Sequence, residues 1–77
     1  MKENKFFVRF KTDDELVIRQ SIANAGAIID FISDFDSSVA VITVLIDKEV
    51  VVLGRLNNDP MVESIFDDID HETFLGL

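Results

Sequence analysis

Charged and apolar residues alternate along Lys5-Phe6-Phe7-Val8-Arg9-Phe10-Lys11, imperfectly, with Lys5, Phe7, Arg9 and Lys11 on one side and Phe6, Val8 and Phe10 on the other. That period of two, in an aromatic and β-branched run, predicts a strand. Thr12-Asp13-Asp14-Glu15 has the T-x-x-E form of a capping box, and its acidic residues sit where the helix macrodipole favours negative charge. A helix is therefore predicted from here, with Ile18, Ile22 and Ala25 on one face and Asn24-Ala25-Gly26 as a left-handed stop.

The middle of the chain carries mixed periodicities. Ile29, Phe31 and Phe35 alternate as a strand would, whereas Ile29 and Ile32 also extend the helical stripe of Ile18, Ile22 and Ala25. A stop at Gly26 favours the strand. Asp34-Phe35-Asp36-Ser37-Ser38 reads as a turn, and Val39 to Ile46 is the surest strand because of its β-branched density. Propensity makes Val50 to Leu56 a strand returning in a hairpin about Asp47-Lys48-Glu49, while an acidic start and the spacing of Val52, Leu53 and Leu56 permit a helix. After the breaker Asn57-Asn58-Asp59-Pro60, residues Met61, Val62, Ile65, Phe66 and Ile69 have helical spacing, and Val62, Ser64 and Phe66 admit a strand.

Two α+β orders follow. One is β-α-β-β-α-β; the other is β-α-β-β-α, with the first helix running across Gly26, a hairpin of residues 39–46 with 50–56, and a final helix from Pro60. Both treat residues 1–4 as an N-terminal flank, 5–69 as the single domain and 70–77 as a C-terminal tail.

A chain of 77 residues has room for one core, since such a domain buries only about 60% of its unfolded surface. With 48% hydrophobic residues and seven Phe it is too apolar for a disordered segment, despite a net charge of −8. The absence of cysteine favours a reducing compartment, so a cytoplasmic location is expected. No apolar signal core follows Met1-Lys2-Glu3-Asn4-Lys5, and no stretch approaches the roughly 20 apolar residues of a membrane span. Membrane association is not expected.

Charge is unevenly placed. Residues 1–11 carry Lys2, Lys5, Arg9 and Lys11 against Glu3, whereas the chain after Arg55 has no Lys or Arg but has Asp59, Glu63, Asp67, Asp68, Asp70 and Glu72. Nucleic acid is disfavoured as a partner, because phosphate contact needs clustered cations. A protein partner offering basic groups or helix N-termini fits better.

Catalytic and metal-binding patterns are weak. His71 lies among Asp68, Asp70 and Glu72, but the chain has no second His and no Cys to complete a zinc site, so a solvated tail is the expectation. Asp34, Asp36, Ser37 and Ser38 lack the glycine and terminal glutamate of a calcium loop. Ser37, Ser38 and Ser64 have no G-x-S-x-G surroundings, and three isolated glycines make no phosphate cradle. A binding protein is expected, with no enzyme activity, metal or cofactor.

Taken in order, Phe6-Phe7-Val8-Arg9-Phe10-Lys11, Asn24-Ala25-Gly26-Ala27-Ile28-Ile29, Ser38 to Val44, and Leu56-Asn57-Asn58-Asp59-Pro60-Met61-Val62-Glu63-Ser64-Ile65-Phe66-Asp67-Asp68 form a pattern. It resembles the subtilisin propeptides and the related fungal and yeast proteinase inhibitors, over residues 5–77. Ala27 stands where the family has its second turn glycine, and Phe66 where it has an acid or polar residue. The resemblance implies a ferredoxin-like fold, a four-stranded antiparallel sheet with two helices. The sheet would pack on the protease and the C-terminal tail would enter the active-site cleft.

No catalytic domain follows Leu77 in this sequence, so a stand-alone inhibitor of a subtilisin-type serine protease is the expected role. The partner-binding residues would be Asp67 and Asp68, capping helix N-termini of the protease, and Phe74, Leu75, Gly76 and Leu77 in the cleft. Either Phe74 or Leu77 would occupy the primary pocket. The tail's composition suits this, because Gly76 allows close backbone approach between large apolar residues that a purely solubilising tail would not need. The competing expectations are a small acidic, non-catalytic interaction or regulatory module, and a small-ligand regulatory domain of the amino-acid-binding type.

Overall fold

Both edges of the strand Val39–Leu45 are occupied, and that decides most of the architecture. The computed structural model describes residues 2–67. Their order is β1 (Glu3–Phe10), α1 (Glu15–Ala25), β2 (Ile28–Ile32), β3 (Val39–Leu45), a 3-10 turn (Ile46–Lys48), α2 (Glu49–Asn57) and β4 (Val62–Asp67). All pairings are antiparallel and the spatial order is β2-β3-β1-β4. This is the ferredoxin-like β-α-β-β-α-β layout. β1 starts at Glu3, inside the segment the sequence reading assigns to the flank.

The alternative order β-α-β-β-α is thereby overturned. A hairpin of residues 39–46 with 50–56 needs a free edge on β3, but β1 lies on one side of it and β2 on the other. Residues 50–56 instead form most of α2, which buries Val52 and Leu56 one helical turn apart and leaves Val50 and Val51 exposed. Residues 62–67 take the vacant edge of β1 as β4, so the helix from Pro60 does not form. The turn before it is closed by Asp59, whose Oδ1 accepts the Met61 N–H at 2.9 Å and whose carbonyl accepts the Val62 N–H at 3.1 Å.

Gly26 stops α1 as its position suggests. Its φ of 92° is left-handed, its N–H donates to the Ala23 carbonyl at 3.1 Å, and the Ala27 N–H donates to the Ile22 carbonyl at 3.2 Å. These two bonds are the Schellman pair, which satisfies carbonyls the helix leaves open. The start differs from the expected capping box. Asp14 is the N-cap, accepting from Leu16 N–H at 3.0 Å and Val17 N–H at 3.4 Å, while Thr12 Oγ1 accepts from Asp14 N–H. Glu15 is thus the first helical residue and pairs with Arg19 one turn on.

The core lies on one face of the sheet. Phe6, Val8 and Phe10 of β1 and Ala40, Ile42 and Val44 of β3 meet Ile18, Ile22 and Ala25 of α1 and Val52 and Leu56 of α2. No helix among the described residues is long and apolar enough to cross a membrane.

Candidate protein-docking face

Strand alternation sends every second residue to the face opposite the helices. The register places Phe31 of β2 opposite Val41 of β3, Val41 opposite Phe7 of β1, and Phe7 opposite Phe66 of β4. One apolar row therefore crosses all four strands. No described helix packs on this side, and Phe31 is 57% and Phe66 43% exposed. Val41, between Phe31 and Phe7 in the register, is only 5% exposed. Ile28, opposite Thr43 on the same face, extends the apolar surface.

Two register shifts create this row. Between Ile29 and Phe31 the pairing skips Asp30, so Ile29 faces Ile42 in the core while Phe31 faces Val41 outside. Plain alternation would have kept Ile29 and Phe31 on one face, so the bulge corrects the sequence expectation. A second shift lies between Arg9 and Phe10, pairing Phe10 with Val62 but Arg9 with Ser64. Val62 and Ile65 consequently pack on the core and Phe66 faces outward.

Polar groups flank the row in matched pairs. On one side Lys5 Nζ donates to Asp30 Oδ2 at 2.7 Å and to Thr43 Oγ1 at 2.8 Å, while the Thr43 hydroxyl donates to the Asp30 carboxylate. Thr43 is buried, and this network supplies its partners. On the other side Arg9 lies 3.6 Å from Asp36 of the β2–β3 loop. The Ser38 hydroxyl and the Ser38 N–H donate to Asp36 Oδ1 at 2.6 and 3.0 Å. These two bonds, with a smaller contribution from the Arg9 charge and against slight dehydration, hold the Asp36 carboxyl below its ordinary pKa. Both cations flanking the row are thus matched by a carboxylate, although the whole chain carries −8.

Of the expected partner-binding residues, Asp67 is the last residue of β4, opposite Phe6 and exposed to solvent. Asp68, Phe74, Leu75, Gly76 and Leu77 lie outside the described residues, as does His71. Sequence reasoning missed the aromatic row. Its one signal was Phe7, an apolar residue on the charged side of the Lys5 to Lys11 alternation. Asp34, Asp36, Ser37 and Ser38 form the turn that links β2 to β3, with Asp36 bonded to Ser38.

Neither a comparison with protein-family models nor one with curated protein sequences yields a match. The face combines exposed aromatic side chains with flanking cations that are each paired to a carboxylate, a chemistry that suits contact with a protein surface.

Proposed function

We propose that this chain is an inhibitor of a subtilisin-type serine protease, acting by binding without chemistry or cofactor. The observation that carries this reading is the row Phe31, Val41, Phe7 and Phe66 on the sheet face opposite the helices. In this reading the sheet face docks on the protease, and the tail that follows β4 lies in the active-site cleft as an added strand. Asp67 and Asp68 cap helix N-termini on the enzyme, and Phe74 with Leu75 or Leu77 fills its apolar pockets, Gly76 allowing close approach. The strand order and the resemblance of residues 5–77 to subtilisin propeptides support the same assignment.

The test is inhibition of a subtilisin-type protease by the intact chain and by a chain lacking residues 74–77. Deletion should abolish inhibition and leave the melting temperature nearly unchanged. If the intact chain does not inhibit at micromolar concentration, the face belongs to an acidic interaction or regulatory module instead.

A further inference from the structure

The β2–β3 loop holds the most exposed large apolar side chain among the described residues, Phe35, at 101% of its reference exposure. A lone exposed apolar residue is ordinary on a protein surface. This one is unusual because the backbone on both sides of it is fixed. Ser33 Oγ accepts the Phe35 N–H at 3.1 Å and the Asp36 N–H at 3.3 Å. The Ser33 N–H donates to the Val39 carbonyl at 2.8 Å and the Val39 N–H donates to the Asp36 carbonyl at 3.0 Å. Asp36 is bonded to Ser38, and its pairing with Arg9 ties the loop to β1 on the docking-face side. Phe35 is therefore displayed by an ordered turn, and much of the entropy that a binding loop loses has been lost on folding.

Position and charge say what it would meet. The loop sits at the Arg9 end of the sheet, joining the end of edge strand β2 to the start of β3, since Val39 lies opposite Arg9 and the Phe10 N–H donates to the Ser38 carbonyl. β4, at the opposite edge, ends at Asp67 opposite Phe6, toward the other end of β1. The loop and the start of the tail thus mark diagonal corners of the sheet. Phe35 is preceded by Asp34 in a chain of net charge −8, Asp36 on its other side being already paired with Arg9, and this disfavours an anionic lipid surface and favours an apolar depression with a cationic rim beside Asp34.

We propose that Phe35 is a second anchor of the inhibitor, inserting into an apolar, basic-rimmed depression on the protease outside the active-site cleft. The inference rests on the inhibitor reading above. It assigns the loop to selectivity among proteases, because a surface depression away from the cleft need not be shared by enzymes with similar clefts.

The experiment compares the full chain with Phe35→Ala and Asp34→Lys for inhibition of a panel of subtilisin-type proteases, for thermal unfolding, and for co-sedimentation with phosphatidylserine–phosphatidylcholine vesicles. Phe35→Ala should raise the inhibition constant about tenfold for the best-inhibited enzyme, the scale of an aromatic anchor, with an unchanged melting temperature. Asp34→Lys should weaken inhibition most at low salt. If the intact chain inhibits and both variants inhibit equally well, the second anchor is refuted while the inhibitor reading stands. Phe35-dependent vesicle binding without an effect on inhibition would also refute it. If the intact chain inhibits no member of the panel, both readings fall together.

Discussion

Phe7 of β1 and Phe66 of β4 lie opposite one another across an antiparallel pair, on the side of the sheet away from both helices. The pairing joins the inner strand β1 to the edge strand from which the C-terminal residues continue. It also completes the apolar row that starts at Phe31, so the candidate site and the strand order are one feature.

Replacing Phe31 and Phe66 together by Ser should separate binding from folding. Cross-strand pairs of this kind contribute about 0.2–1 kcal/mol each, so the double variant should stay folded and melt a few degrees lower. In the proposed inhibitor role, inhibition of a subtilisin-type protease should fall far more steeply. Circular dichroism melts alongside inhibition constants check this, and a proportionate loss of both would assign the row to stability alone.

The opposite face should behave as core. Ile42 is fully buried between Phe6 and Ile29 in the register. Truncating it to Ala should cost about 2–5 kcal/mol, a large part of the total for a domain stabilised by roughly 0.05–0.15 kcal/mol per residue. Val50→Ala, on the solvent side of α2, should stay within about 0.5 kcal/mol of the parent. Urea unfolding of the two variants measures the contrast.

Two glycines should respond in opposite directions to alanine. A Cβ at Gly26 would meet only ordinary contacts, at 3.7 Å from Val52 and 3.8 Å from Arg55, so the cost is the left-handed φ of 92°, about 1–2 kcal/mol. Gly54 lies within α2 with nothing within 4 Å of its Cβ position, and Gly54→Ala should stabilise by about 0.5–1 kcal/mol. Melting temperatures should fall for the first and rise for the second.

Acid should loosen the β2–β3 loop through Asp36. Its carboxyl is held below the ordinary 3.8 in the fold, chiefly by the Ser38 hydroxyl and Ser38 N–H, then by Arg9. A depressed carboxyl stabilises the folded state above 3.8, and this contribution is lost as pH falls from there through the folded pKa. Asp36→Asn should flatten that part of the stability-against-pH curve. Denaturant titrations of parent and variant at a series of acidic pH values check it; identical curves would remove Asp36 from the account.

Asp67→Asn combined with Asp68→Ala should weaken inhibition severalfold without unfolding the domain. Contacts between carboxylates and helix N-termini contribute about 0.3–1 kcal/mol each at an exposed edge and are screened by salt. The difference between parent and variant should therefore narrow as ionic strength rises. Equal inhibition constants at low salt would take the pair out of the interface.

The elements legible in the sequence are those with local causes. β1 and β3 follow from aromatic and β-branched runs, and the end of α1 follows from a glycine that can adopt a left-handed φ. The acidic stretch at Asp67 was also visible, since charge needs no partner to be counted. Tertiary structure alone decided that Val50 to Leu56 is helix and Val62 to Asp67 is strand. Local propensity there is mixed, and the outcome depends on which sheet edges are vacant: β3 has none, and β1 has one that β4 fills. The face assignment of Phe31 and Phe66 was equally hidden. A bulge in one strand pairing reverses inside and outside for every residue beyond it, and only the partner strand fixes where that bulge falls.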